Sequence, residues 1–137
     1  MSNDNLEVVR RGYAAFRAGG PPAIADFLDE DVVWRTPEEV PEAGVYRGRE
    51  AVLTYLQSLV EVFDELRVKP QELVAVDDHV VAVVGYHARA GGSGVELEWE
   101  ETVVWSLRAG RVIEFVPYAD KQAALRALAP AAPRGSG

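Results

Sequence analysis

Glu101 stands in a row of otherwise apolar residues, and no other position in the chain signals chemistry so clearly. Read as a strand whose side chains alternate between two faces, Val95 to Leu107 places Val95, Leu97, Trp99, Glu101, Val103, Trp105 and Leu107 on one side. The other side carries Glu96, Glu98, Glu100, Thr102, Val104, Ser106 and Arg108. The first row is predicted to face a core. An unpaired charge is costly there, so Glu101 must be neutral, paired or set in the wall of a cavity. Inside an apolar cavity a carboxyl group titrates closer to neutrality and becomes an efficient proton donor or acceptor. Glu101 is therefore the candidate catalytic residue, as general base or acid. The alternatives are a structural acid bonded to Thr36, Tyr13 or Tyr55, and a strand bulge that turns it to solvent.

Other residue types suit the walls of such a site. Trp34 and Thr36 share the inward parity of a short strand and are expected to line the pocket mouth. Tyr13, Tyr55 and Tyr86 can offer hydroxyls to a ligand carbonyl. Trp99, Val103 and Phe115 supply flat or apolar surface for a hydrophobic ligand. His87 has the opposite parity to Tyr86 and is expected on the outer face, as is Glu114. His79, beside Asp77 and Asp78, reads as a solvated turn residue. No further ligands stand at metal-binding spacing near it, so neither a metal nor a cofactor is expected.

These side chains need a scaffold. Leu6, Val9, Tyr13 and Phe16 recur at helical spacing until Gly19-Gly20-Pro21-Pro22. Pro22 opens a second, shorter helix with Ile24, Phe27 and Leu28 apolar, closed by a polar turn at Asp29-Glu30-Asp31. Val32 to Arg35 is a short strand and Thr36 to Arg47 a loop. Val52, Tyr55, Leu56, Leu59 and Phe63 form the stripe of a third helix. Four strands follow, Arg67 to Val76, Val80 to Ala90, Val95 to Arg108 and Arg111 to Val116, joined by turns short enough to make antiparallel hairpins. If Gly91-Gly92-Ser93-Gly94 closes the central hairpin, Ala90 faces Val95. Arg89 then opposes Glu96, His87 opposes Glu98, Tyr86 meets Trp99 and Val84 meets Glu101. Asp120 can cap a last helix ending at Leu128.

Composition narrows the partners. The 137 residues suit one domain, 1–129, followed by a flexible tail at 130–137. A net charge of −8 is the wrong sign for a nucleic acid partner. The amino-terminal stretch lacks the apolar core of a signal peptide and no run is long enough to span a bilayer, so no membrane association and a cytoplasmic location are expected. Val81, Val83, Thr102 and Val104 form a mildly apolar patch on the outer sheet face, which points to a homodimer through that face.

Four stretches carry a family resemblance: Tyr13 to Gly19, Asp31 to Trp34, Tyr46 to Val52, and Val104 to Ile113. With the order of elements, they resemble the SnoaL-like branch of the nuclear transport factor 2-like superfamily. The resemblance implies an α+β fold, a cone-shaped curved antiparallel sheet wrapped around helices, with a cavity between sheet and helices. It implies a homodimer as well. Its ketosteroid isomerases resemble this chain in layout, but their base, tyrosine and second acid would fall near Thr36, Gly12 and Val103, where none is kept. Pro117 stands where the epoxide hydrolases of the superfamily have an aspartate. The expectation is a protein binding a small hydrophobic molecule, as a cofactor-independent isomerase, cyclase or dehydratase acting on a carbonyl compound. The alternative is a non-catalytic ligand-binding or dimeric scaffold protein.

Overall fold

The computed structural model describes residues 2–36 and 44–129, so the expected tail at 130–137 lies outside the described residues. Helix α1 (Ser2–Gly19) is followed by a 3₁₀ helix (Pro21–Phe27), with Pro21 and Pro22 in its first turn. Strands β1 (Leu28–Arg35) and β2 (Val45–Arg47) precede helix α2 (Arg49–Glu61). Strands β3 (Phe63–Val76), β4 (His79–Ala90), β5 (Glu96–Arg108) and β6 (Arg111–Tyr118) lead to helix α3 (Lys121–Leu128). Asp120 caps α3 as expected, accepting a 2.8 Å bond from the Ala123 amide.

One six-stranded sheet results, in the order β2-β1-β6-β5-β4-β3. Neighbours pair antiparallel except β1 and β6, which run parallel. The sheet is curved and does not close. Register shifts in β3 help it bend, and the one between Pro70 and Glu72 falls at a residue with no N–H to give to a ladder. Helices α1 and α2 cover the concave face, and the main core of Leu28, Val32, Val52, Val84 and Val103 lies between. Gly48, at φ +93°, gives its amide to Val32 O at 2.8 Å and so ties the start of α2 to β1.

Several sequence expectations need correction. Asp29-Glu30-Asp31 is not a turn: β1 begins at Leu28, and a register shift against β6 between Leu28 and Val33 absorbs the acidic run. Phe63 keeps helical spacing from Leu59 but opens β3. The segment expected as loop contains β2, which pairs with β1. Val95 and Leu97 have the parity of a core row yet are 54% and 41% exposed, so the core does not extend along that end of β5. Of the four residues in the patch expected to form a dimer interface, all but the half-buried Val83 are covered by the chain itself. Val81, Val104 and Thr102 are buried, with α3 laying Ala124, Leu125 and Leu128 over that face. These side chains offer no surface to a second copy.

The central hairpin keeps the expected register, with Arg89 opposite Glu96, His87 opposite Glu98 and Val84 opposite Glu101. The side-chain bonds do not follow the direct cross-strand opposition. His87 Nε2 meets Glu96 Oε1 at 2.7 Å, a diagonal neighbour, and Arg89 gives its bond to Glu65 on β3 at 2.9 Å. His79 is likewise no solvated turn residue, since it opens β4 and pairs through Nδ1 with Ser106 Oγ at 2.7 Å.

Candidate functional site

A cavity of about 260 Å³ lies between the concave sheet face and the helices. Its floor is aromatic. Trp34 stacks on Phe115 with ring centres 3.9 Å apart, and Trp105 meets Trp34, Phe115 and Tyr13 edge to face at 5.5, 4.7 and 5.6 Å. Parallel pairing of β1 with β6 sets Trp34 beside Phe115, while β5 brings Trp105 from the next strand. At the other end Tyr86 and Trp99 stack 5.0 Å apart, as neighbours across the β4–β5 hairpin. Offset stacking and edge contacts of this kind add to the area buried.

Glu101 lines the cavity between these two groups. Its Oε1 accepts a 2.7 Å bond from the Tyr86 hydroxyl, a partner different from the three expected from the sequence. Burial pushes the carboxyl above its usual 4.5, and the Tyr86 bond pulls it part of the way back. Burial, and then the charge of Glu101, push the Tyr86 phenol upward as well. Tyr13 is also raised by burial, and its oxygen accepts a 3.0 Å bond from Trp105 Nε1–H. That bond joins α1 to the sheet across the cavity floor.

Of the remaining candidates, Tyr55 lines the cavity from α2 and stacks on Tyr46 at 4.4 Å. Thr36 lines it too, but its hydroxyl is turned to Gly44, accepting from the amide at 2.7 Å and donating to the carbonyl at 3.1 Å. Val103 is not among the lining residues, because it is fully buried within the main core. His87 and Glu114 stay outside the lining, and Glu114 instead accepts a 3.1 Å bond from Arg35 Nε. Features that had not been anticipated include Phe63 and Arg35 in the lining, the Tyr86 bond to Glu101 and the Trp105 bond to Tyr13. Nothing in strand parity reports an indole's partner on a distant helix. Among the described lining residues, Glu101 is the sole carboxylate and Arg35 the sole cation.

The raised carboxyl makes a stability prediction. The folded chain holds the Glu101 proton more tightly than the unfolded chain, so stability is undiminished at acid pH and falls as pH rises from 4.5 through the folded value. Glu101→Gln has no proton to lose there. Its stability relative to the parent is expected to grow from acid to neutral pH in paired urea denaturations. A difference flat with pH shows instead that Glu101 ionises as it does in water.

A curved six-stranded sheet with helices over its concave face, enclosing an apolar cavity with one acid in its wall, defines a nuclear transport factor 2-like α+β protein. The SnoaL-like domain family matches residues 9–115, and the chain belongs to that family. An uncharacterized protein of Mycobacterium tuberculosis is 30% identical over 127 residues, which cover 90% of this chain and 95% of the relative. Among solved structures, Bal32a from a soil-derived mobile gene cassette is 27% identical at a TM-score of 0.77, with 93% of this chain and 98% of that one covered. TerC co-crystallized with polyporic acid is 23% identical at a TM-score of 0.75, covering 91% and 97% of the two chains. Among the described residues no helix is long and apolar enough to cross a membrane.

Proposed function

We propose that the cavity binds a small hydrophobic carbonyl compound and that Glu101 moves a proton on it, in an isomerisation, cyclisation or dehydration. The observation that carries this reading is a partly buried carboxyl, raised by desolvation, in a cavity whose other walls are mostly aromatic and aliphatic. A carboxylate with a raised pKa is a stronger base than one in water. Tyr13 complements it. Its oxygen accepts from Trp105, which leaves its own proton to donate to a ligand oxygen. Trp34, Tyr55, Trp99 and Phe115 shape the space around the reacting carbon. The co-crystallization of the fold neighbour TerC with polyporic acid supports a small organic ligand.

The second reading, a binding protein without turnover, is favoured by one observation. The hydroxyls of Tyr86 and Thr36 already serve protein partners, and among the described lining residues Glu101 faces no second acid. A thermal-shift screen of hydrophobic ketones and polyketide-like compounds, run on the parent and on Glu101→Gln, tests both. Compounds that stabilise the parent are expected to lose most of that effect on the variant, and any turnover to fall by about 10²–10⁴-fold. Equal stabilisation of the two proteins with no turnover by either leaves the binding protein reading. A screen in which no compound stabilises the parent overturns the carbonyl ligand.

A further inference from the structure

Among the described residues, half of β5 is paired on one side alone. Strand β4 pairs along it from Glu96 to Ser106, whereas pairing with β6 begins only at Thr102, opposite Tyr118. After Tyr118 the chain turns into α3, which lies over the other face of the sheet. Among the described residues Glu96 to Glu100 therefore form a free edge. The direction of its backbone groups follows from one bond. Ala90 N–H donates to Val95 O at 2.8 Å, so odd-numbered residues at this end of β5 turn their amides and carbonyls toward β4. Glu96, Glu98 and Glu100 turn theirs outward, ready to pair with another strand.

The two faces of this edge differ sharply in chemistry. On the concave face Leu97 and Trp99 are each 41% exposed, and Phe63 lies 6.1 Å from the Trp99 ring. On the convex face stand the carboxylates of Glu96, Glu98 and Glu100, all exposed. We propose that this edge takes up an extended segment of a partner protein in which lysine or arginine alternates with apolar residues. Such a segment adds a seventh strand, with its apolar side chains against Leu97 and Trp99 and its cations against the glutamates.

Charge selects this occupant over the other candidates. A second copy joined edge to edge about a two-fold axis would bring Glu98 against its own counterpart and Glu96 against Glu100, since directly opposed residues share a face. Like charges there repel. An anionic lipid surface meets the same three carboxylates. A basic strand satisfies the outward amides, the apolar side and the acidic side together. Because Trp99 also lines the cavity, a docked strand would cover the outer side of the cavity's rim.

The test uses the full chain and a capped peptide, acetyl-Lys-Val-Lys-Leu-Lys-Val-Lys-amide, against a scramble of the same residues with the lysines grouped and against its glutamate analogue. Residue-resolved amide exchange by NMR is the readout. The alternating peptide is expected to protect the amides of Glu96, Glu98 and Glu100, and the two controls to leave them exchanging. Glu98→Lys is expected to weaken binding by about five-fold. Glu98→Pro removes an outward donor without touching the β4 ladder, and is expected to abolish protection. If the proline variant does not fold, the lysine variant decides. Protection by all three peptides alike, protection by none, or neutral-pH dimers that protect this edge without peptide would each overturn the proposal.

Discussion

Trp34→Ala is expected to lower the unfolding free energy by about 3–5 kcal/mol, measured by urea denaturation followed by circular dichroism. The side chain is 7% exposed, stacked on Phe115 and edge-on to Trp105. Its removal strips two other aromatic rings of a neighbour at once. It also leaves a void beside a cavity that already exists, so the surroundings cannot close in to recover the lost contacts. Trp34→Phe keeps a ring against Phe115 and is expected to recover more than half of the loss. A cost for the alanine variant below about 1 kcal/mol would mean that Trp34 is a compliant wall of the pocket and holds nothing together.

On the opposite face, Val104→Asp is expected to cost about 3–5 kcal/mol, the scale of an uncompensated buried charge. Val104 is 2% exposed beneath α3, packed with Val81 and Ala124. The helix above it is pinned by the Asp120 cap and by Lys121, which pairs with Glu72 of β3. The carboxylate must either stay buried or displace α3. A change of less than about 0.5 kcal/mol, the range of an ordinary surface position, would place this face in solvent.

The sequence was most informative where local geometry sets the outcome. The four-residue loop at Gly91 to Gly94 dictates the β4–β5 register, and with it the place of Glu101 opposite Val84 and of Tyr86 beside Trp99. Parity then put Glu101 on the cavity side. Reading failed where tertiary placement decides. Val81 and Val104 look like an open patch until α3 is known to fold back over them. Val95 and Leu97 alternate like core residues, but alternation does not report how far along a strand the core extends. Asp29-Glu30-Asp31 has the composition of a turn, and only pairing with β6 makes it strand. The Tyr86 bond to Glu101 was within reach, because the register already made the two residues diagonal neighbours on one face.

The parallel partnership of β1 with β6 also governs when the protein can finish folding. Trp34 is made early by the ribosome and its stacking partner Phe115 late, with α2 and the β3 to β5 meander synthesised between them. Closing so long a loop is slow, and during synthesis the β1 edge must wait without its neighbour. The nascent chain can form helices and the central hairpin first, but the hollow acquires its floor only when the final strand arrives.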